Sequence, residues 1–267
     1  LYLHGPSPAI AWLQSFGFPS FHPMKYRWKG VTPMKPYDVL LFDLDYTLLD
    51  FDADMLMAFE QLYRHCGFDK LIPYTPAMLE LYEKHNNKWW ERFEAGQCAK
   101  SQLFLGRFAD FLAETGFSGN PAQMNEDYFA FLGQGGVLYP GAEEMLQLLS
   151  NEYPLYIITN GNAGTANTRI GHSGIGSYIK DYFVSEAVGA AKPDPLYFEY
   201  VFSHIPGFQK ERAVVIGDSL ASDIQGAQNA GLDSIWYHPD GSWKNPVSVP
   251  YTYEAKNYGD ILRILLP

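Results

Sequence analysis

The protein has 267 residues, of which 47% are hydrophobic and 18% charged, and its formal net charge is −11. This composition is typical of a globular chain with one sizeable core, with or without a small accessory domain, and it excludes a disordered protein. The acidic balance argues against a nucleic-acid polymer as partner, because a phosphate backbone is bound by a basic surface.

Two further features of the composition bear on location. No apolar run approaches the roughly 18 residues needed to cross a bilayer, so we expect no membrane partner. Two cysteines, Cys66 and Cys98, do not make a disulfide framework in a chain of this length. We therefore expect a cytoplasmic protein.

The first 33 residues differ from the remainder of the chain. They contain three basic residues and no acidic residue, and their prolines and aromatic residues follow neither helical nor strand periodicity. They also lack the apolar run and the small-residue cleavage site of a secretion signal. We predict that residues 1–33 are an extension that is not part of the fold and has no role in the function.

From residue 34 onward, strand and helix patterns become regular. Residues 39–42 form a continuous apolar run, typical of a central parallel strand that is covered on both faces. Four helical segments follow without a convincing strand between them, at about residues 55–66, 76–93, 101–115 and 123–132. Strands then recur at about 155–158, 182–184, 214–216 and 234–237, and they alternate with helices at about 142–151, 162–172, 195–204 and 221–230.

This alternation predicts an α/β fold, a doubly wound parallel sheet of the Rossmann-like type. The predicted core comprises residues 34–51 and 137–267, and residues 52–136 are an α-helical cap inserted after the first strand. The glycines at residues 133–136 fall where the cap rejoins the core, so we interpret them as hinge material for movement of a lid.

Two aspartates follow the first predicted strand at a spacing of two residues. On extended backbone, Asp43 and Asp45 point to the same side, so both carboxylates can face one pocket. Mutual repulsion and a nearby cation would separate their pKa values, leaving one ionised and one protonated. An ionised aspartate can attack phosphorus, and a protonated one can give its proton to the leaving alkoxide. Taken alone, the pair could equally cap a turn.

Two further segments could bind a phosphoryl group. Thr159, Asn160 and Gly161 follow the second strand and open a helix, where a hydroxyl and backbone N–H groups form a cradle for phosphoryl oxygens. The same three residues also suit an ordinary strand–helix turn. Lys192, held extended by Pro193, would neutralise negative charge on the phosphoryl group, although a solvated loop lysine is the alternative.

Acidic residues after the next strand complete a possible metal site. Asp218 and Asp43 supply the hard oxygen ligands that suit Mg²⁺, and Asp223 lies one turn further on as a supporting partner. Gly217 ends the strand and permits a close approach of other groups. The chain has no His/Cys cluster at ligand spacing, which argues against zinc.

Cap residues are the candidates for contact with the remainder of a substrate. Trp89 or Trp90 could stack on a nucleobase, but adjacent helical residues point about 100° apart, so at most one can do so. Packing in the core is the alternative for both. Arg107 could reach a phosphate or a base as a bidentate partner, or form a surface ion pair.

The four polar segments resemble, in order, the four motifs of the haloacid dehalogenase-like hydrolase superfamily. The matching segments are residues 42–48, 158–161, 192–195 and 217–223, and the similarity extends over about residues 34–267. The position of the cap resembles that of the phosphatase branch. The dehalogenases of the family lack an acid at the position of Asp45, so phosphate-ester hydrolysis is the better interpretation.

The resemblance implies a role for each motif residue. Asp43 would be the nucleophile and Asp45 the general acid/base, while Thr159 and Lys192 hold the phosphoryl group. Mg²⁺ would be bound by the carboxylate of Asp43, the backbone carbonyl of Asp45 and Asp218, with Asp223 in support.

Within the superfamily, the chain most resembles the pyrimidine 5′-nucleotidase, house-cleaning group. The resemblance rests on Trp89-Trp90, residues 94–108, residues 185–189 and residues 222–224. It implies hydrolysis of pyrimidine or deoxy nucleoside monophosphates, small phosphorylated metabolites, by a monomer or homodimer. The chain departs from the group at Asn162, where an apolar or aromatic residue is common.

Two alternatives remain open at this point. A sugar-phosphate or other small-metabolite phosphatase would use the same chemistry, because cap residues set selectivity. A non-catalytic phosphate-binding module similar to a signalling receiver domain also clusters carboxylates, threonine and lysine around Mg²⁺. Receivers, however, lack an acid two residues after the acceptor and have no helical cap.

Overall fold

In the computed structural model, which describes residues 37–239 and 249–266, the chain forms a six-stranded sheet whose paired strands are all parallel. The predicted extension at residues 1–33 lies outside the described residues. The order in the sheet is β3-β2-β1-β4-β5-β6. The strands are β1 (Val39–Phe42), β2 (Leu155–Thr159), β3 (Ile179–Val184), β4 (Ala213–Gly217), β5 (Asp233–Tyr237) and β6 (Tyr253–Ala255).

Strand β1 lies at the centre of the sheet, and all four of its residues are buried. Leu40 and Phe42 face one hydrophobic cluster, whereas Val39 and Leu41 face the other. This alternation follows from the two-residue period of a strand, and it explains why the run carries no polar position.

Helices cover both faces of the sheet. They are α5 (Ala142–Ser150), α6 (Ala163–Ser173), α7 (Ser185–Val188), α8 (Pro195–His204), α9 (Gln225–Ala230) and α10 (Tyr258–Leu265). Helices α5, α6 and α10 pack on the face of Leu40, and α8 and α9 pack on the face of Leu41. A π-helical turn (Leu220–Ile224) leads directly into α9.

The first four helices after β1 form the helical insertion, residues 51–132. They are α1 (Phe51–His65), α2 (Pro76–Glu94), α3 (Lys100–Thr115) and α4 (Pro121–Leu132). Aromatic side chains dominate their separate hydrophobic cluster, in which the rings of Phe59 and Tyr82 stack with centroids 4.4 Å apart. Stacked and edge-on aromatic pairs add to the stabilisation from burial alone.

The predicted fold class is confirmed by this parallel sheet and its flanking helices. The predicted strands and helices each correspond to an observed element, but α7, β6 and α10 were not predicted. Strand β6 has three residues, too few for a period to show, whereas α10 buries Tyr258, Ile261 and Leu265 at helical spacing. In the part of the chain that the structure describes, no helix combines the length and apolarity needed to span a bilayer.

Candidate active site

The carboxyl ends of β1, β2 and β4 open into a cavity of about 420 Å³, which the helical insertion covers from the other side. The sheet contributes polar residues to its wall: Asp43, Asp45, Thr159, Asn160, Gly161, Lys192, Asp218 and Asp223. All eight core residues predicted from the sequence therefore line one cavity. The carboxyl edge of a parallel sheet is where open α/β folds bind their ligands.

A buried lysine connects two of the predicted carboxylates. The Nζ of Lys192 lies 2.6 Å from Oδ1 of Asp43 and 2.6 Å from Oδ1 of Asp223, and it donates a third bond to the carbonyl of Ile158 at 2.8 Å. Burial disfavours the ammonium, but the carboxylates of Asp223 and Asp43 outweigh it and raise the pKa of Lys192. Lys192 is therefore a fixed cation and not a solvated loop residue.

Three carboxylates form a cluster suited to a divalent cation. Oxygen atoms of Asp43, Asp218 and Asp223 all lie within 4.8 Å of one another. Burial, followed by repulsion within the cluster, raises the pKa of Asp43 and of Asp218, although Lys192 opposes both shifts. Such a set of hard oxygen donors with surplus negative charge fits Mg²⁺.

Gly217 leaves the space that the carboxylate of Asp223 occupies, as predicted from its position at the end of a strand. A Cβ at Gly217 would lie 2.4 Å from the carboxylate of Asp223, so a side chain there would displace it. The same carboxylate accepts a hydrogen bond from the backbone N–H of Ser219 at 3.0 Å. The hydroxyl of Thr47 in turn donates to Asp218 at 3.3 Å.

Asp45 forms an ion pair that the sequence did not predict. Its Oδ1 lies 2.7 Å from Nη1 of Arg169, whose side chain is 2% exposed and also contacts the fully buried Asp54. Burial raises the pKa of Asp45, and the charge of Arg169 partly offsets the effect. A signal for Arg169 existed in the sequence, since it shares the buried stripe of α6 with Thr165 and Ile170 at helical spacing.

The residues at the end of β2 line the cavity and also make hydrogen bonds within the protein. The hydroxyl of Thr159 accepts a hydrogen bond from the N–H of Gly161 at 3.1 Å, at the edge of the cavity. The amide of Asn160 donates to the backbone carbonyl of Lys192 at 2.8 Å and accepts from its N–H at 2.9 Å. Asn160 therefore positions the Lys192 loop, and its predicted contact with the substrate stays a prediction.

The two adjacent tryptophans of α2 point in different directions. Trp89 does not line the cavity: its Nε1 donates to Asp110 at 3.0 Å, and its ring packs so closely on Gly106 that a Cβ there would lie 2.2 Å away. Trp90 does line the cavity. Of the two tryptophans, Trp90 is therefore the one placed to meet a molecule in the cavity, whereas the prediction named Trp89; the difference agrees with the 100° rotation between adjacent helical residues.

Arg107 is buried in the cavity wall on the insertion side, 2% exposed. Its Nη1 donates to Asn86 at 3.0 Å and its Nη2 to Asn125 at 2.9 Å, and four aromatic rings lie 4.8–5.5 Å from its guanidinium carbon. Its buried Nε has no hydrogen-bond partner among the described residues. The alternative of a surface ion pair is excluded by this burial.

An unpredicted lysine connects the insertion to the core. The Nζ of Lys100, in the first turn of α3, donates to the carbonyl of Gly161 at 2.6 Å and to the hydroxyl of Ser185 at 2.8 Å. Burial lowers the pKa of Lys100 to about 8, with Glu186 opposing the shift. The contact fixes the insertion directly over the loop that carries Thr159.

Fold and site together define a hydrolase in which buried carboxylates and a lysine converge beneath a helical insertion. The chain belongs to the haloacid dehalogenase-like hydrolase family, which matches residues 37–231. The predicted family and the predicted enzyme class, a phosphoric monoester hydrolase, are thereby confirmed.

Individual relatives agree with this assignment. YfnB of Bacillus subtilis, named as a HAD-hydrolase, is 39% identical over 87% of this chain and 97% of its own. Its magnesium-bound crystal structure, which reveals interdomain movement, superposes with a TM-score of 0.81, covering 87% of this chain and 100% of that one. The pyrimidine 5′-nucleotidases PynA of Streptococcus pneumoniae and YjjG of Escherichia coli are 36% and 29% identical, each over 86% of this chain and over 95% and 98% of their own lengths.

Proposed function

We propose that the protein hydrolyses nucleoside 5′-monophosphates, with a preference for pyrimidine or deoxy forms, in a Mg²⁺-dependent reaction through an aspartyl-phosphate. The observation that carries the proposal is the convergence of Asp43, Lys192 and Asp45 in one cavity. Similarity to two pyrimidine 5′-nucleotidases over most of the chain supports the substrate class.

In the first half of the reaction, the carboxylate of Asp43 attacks phosphorus and the bond to the ester oxygen breaks. Lys192 lies 2.6 Å from the attacking carboxylate and offsets the negative charge that the phosphoryl group brings. Asp45 transfers its proton to the leaving alkoxide, so that the nucleoside departs as a neutral alcohol. Burial raises the pKa of Asp45, which is the direction that a proton donor needs.

In the second half, Asp45, now ionised, takes a proton from water as the water oxygen attacks the phosphorus of the aspartyl-phosphate. Phosphate leaves and the carboxylate of Asp43 is restored. Mg²⁺ would be held by Asp43, Asp218 and the backbone carbonyl of Asp45 with Asp223 in support, and it would supply positive charge to the phosphoryl oxygens. The hydroxyl of Thr159 accepts from Gly161 and keeps its own O–H free, which would donate to the same phosphoryl oxygens.

The insertion side of the cavity suits a nucleobase. Trp90, Phe104 and Phe129 present aromatic surface there, and Arg107 lies in the same wall. Pyrimidine bases carry carbonyl oxygens that accept hydrogen bonds from a guanidinium. A sugar phosphate has no flat face to match these rings, so the aromatic lining favours the nucleotide.

The predictions of cellular location and assembly remain predictions. We expect a cytoplasmic monomer or homodimer that acts on a small metabolite. A non-catalytic phosphate-binding role is disfavoured by Asp45 and Arg169, since a stable phosphoacceptor has no use for an acid held beside it.

A panel of phosphomonoesters tests the proposal. Phosphate release would be measured with and without Mg²⁺ for pyrimidine and purine nucleoside 5′-monophosphates, their deoxy forms and several sugar phosphates, with Asp43→Asn as the control for contaminating phosphatase. The proposal predicts Mg²⁺-dependent release with the highest kcat/KM for the pyrimidine or deoxy nucleotides. Selective release from sugar phosphates would overturn the substrate class, and no release from any ester would overturn the reaction.

A further inference from the structure

We infer that Arg169 is a positioning residue that orients Asp45 for proton transfer and ties it, through Asp54, to both ends of the helical insertion. The inference rests on the proposed function, because it takes Asp45 as the proton donor. Arg169 itself neither forms nor breaks a bond in the reaction; it acts through Asp45.

The guanidinium of Arg169 lies between two carboxylates from different parts of the chain. Its Nη1 is 2.7 Å from Asp45, while its Nε donates to Oδ2 of Asp54 at 2.8 Å and its Nη2 lies 2.8 Å from the same oxygen. Arg169 and Asp54 are both buried, and the ring of Phe51 lies 5.4 Å from the guanidinium carbon. A planar guanidinium contacts the two carboxylates through separate N–H groups in a fixed fork, a directional geometry that a lysine ammonium lacks.

Asp54 binds the segment through which the insertion returns to the core. It lies in the first turn of α1, where the insertion begins, and its carboxylate accepts hydrogen bonds from the backbone N–H groups of Gly136 at 3.0 Å and Val137 at 3.2 Å. The carbonyl of Val137 in turn accepts from the N–H of Asp50 at 2.8 Å. The two connections to the insertion are therefore joined at Asp54.

The returning segment leaves no room around this network. A Cβ at Gly135 would lie 2.4 Å from Oδ1 of Asp54, and one at Gly136 would lie 2.8 Å from the carbonyl of Arg169. Gly136 also has a φ of 124°, a backbone conformation that L side chains rarely adopt. Movement of the insertion must therefore move Asp54, and Arg169 transmits that movement to Asp45.

The consequence is a dependence on the leaving group. A nucleoside alkoxide is a poor leaving group that needs a correctly placed proton, whereas p-nitrophenolate leaves without one. An enzyme that holds Asp45 badly should therefore lose rate on the nucleotide and keep it on p-nitrophenyl phosphate. General acid catalysis is typically worth about 10²–10⁴-fold, so a misplaced donor should cost roughly 10²-fold.

The test compares single-turnover rates of leaving-group release from a nucleoside 5′-monophosphate and from p-nitrophenyl phosphate. The variants are Arg169→Gln, Asp45→Asn and the double variant, and Arg212→Gln is the matched control, since Arg212 pairs with Asp38 at the surface. We expect Arg169→Gln to lose about 10²-fold on the nucleotide and only a few-fold on p-nitrophenyl phosphate. In the Asp45→Asn background the same change should have little further effect on the nucleotide, because there is no proton donor left to place.

Equal losses on both substrates, or an effect that persists in full without Asp45, would overturn the inference. If Arg169→Gln does not fold, Arg169→Lys replaces it, because lysine keeps the buried charge but not the planar fork that fixes Asp45 relative to Asp54. Nucleotide rates at wild-type level in that variant would equally overturn the inference. Failure of the wild-type protein to hydrolyse either ester would instead refute the proposed function, and the inference with it.

Discussion

The Nζ of Lys192 lies 2.6 Å from Oδ1 of Asp43, although 149 residues separate the two in the sequence. The contact exists because β1 and the segment after β3 end at the same edge of the sheet, and because Asn160 holds the backbone of Lys192 in place with two hydrogen bonds. It places a permanent cation against the candidate nucleophile.

Replacing Lys192 with methionine should therefore reduce both stability and activity. Asp43 and Asp223 would remain buried without their cation, and loss of one partner of a buried ion pair typically costs about 3–5 kcal/mol. Urea unfolding measures the effect, with Lys180→Met as the control because Lys180 is exposed on β3. Mg²⁺ should recover part of the lost stability by supplying charge to the same carboxylates. Equal unfolding free energies for the two variants would contradict this account of the site.

Trp90→Leu should raise the KM for nucleotides and leave the KM for glycerol phosphate unchanged. The expected rise is about 5- to 100-fold, since stacking of a base on an aromatic ring is worth roughly 1–3 kcal/mol. Steady-state kinetics on both substrates measure it. Trp89→Leu provides the contrast, because Trp89 packs on Gly106 and should affect thermal stability more than KM. If Trp89→Leu raised the KM for nucleotides and Trp90→Leu did not, Trp89 would be the residue that stacks on the base.

Arg107→Met should raise KM for pyrimidine nucleotides more than it lowers kcat, because the side chain lies on the insertion side, away from the carboxylate cluster. Loss of a charged hydrogen bond is worth about 1.5–3 kcal/mol, which corresponds to a rise in KM of roughly 10- to 100-fold. Kinetics for nucleotide and sugar phosphate, with Arg212→Gln as the surface control, measure the difference. An unchanged KM would remove Arg107 from the site.

Lys100 should give the protein a specific pH dependence of stability. The pKa of Lys100 is about 8 in the folded protein and about 10.4 when exposed, so burial of its charge destabilises the fold below pH 8. Between pH 8 and pH 10.4 the unfolded chain binds a proton that the folded protein has released, and the free energy of unfolding should therefore rise with pH by about 1–3 kcal/mol. Urea unfolding of wild type and Lys100→Met across this range checks the sign. The free energy of unfolding of the wild type should rise with pH relative to that of the variant. If the two free energies changed in parallel with pH, Lys100 would not be buried in solution.

The sequence was sufficient to predict the parallel sheet and the motif residues at its edge. Strands β1, β2 and β4 are short apolar runs that end at polar groups, and the topology of a parallel sheet brings such ends together. The cluster of Asp43, Asp218 and Asp223 could therefore be predicted without any knowledge of distances.

The residues that sequence analysis did not assign are those whose roles depend on packing between distant segments. Arg169 and Asp54 are 115 residues apart, and Lys100 is 61 residues from Gly161. Each is a common residue type on an ordinary helix, and only the docking of the insertion brings them to their partners. The choice between Trp89 and Trp90 depended likewise on the rotation of one helix about its axis. The two residues point only about 100° apart, and periodicity did not decide which of them faces the cavity.

The most direct test of the central claim is to trap the phosphorylated enzyme. Wild-type protein and the Asp45→Asn and Asp43→Asn variants would be mixed with Mg²⁺ and a pyrimidine nucleotide, quenched in acid and digested for mass spectrometry. Asp45→Asn would receive p-nitrophenyl phosphate in place of the nucleotide, because p-nitrophenolate leaves without a proton. This variant should hydrolyse the intermediate slowly and therefore accumulate it. The account predicts that the peptide containing Asp43 gains one phosphoryl group in the wild type and in Asp45→Asn and none in Asp43→Asn. Turnover without any phosphorylated Asp43, or a phosphoryl group on another residue, would contradict it.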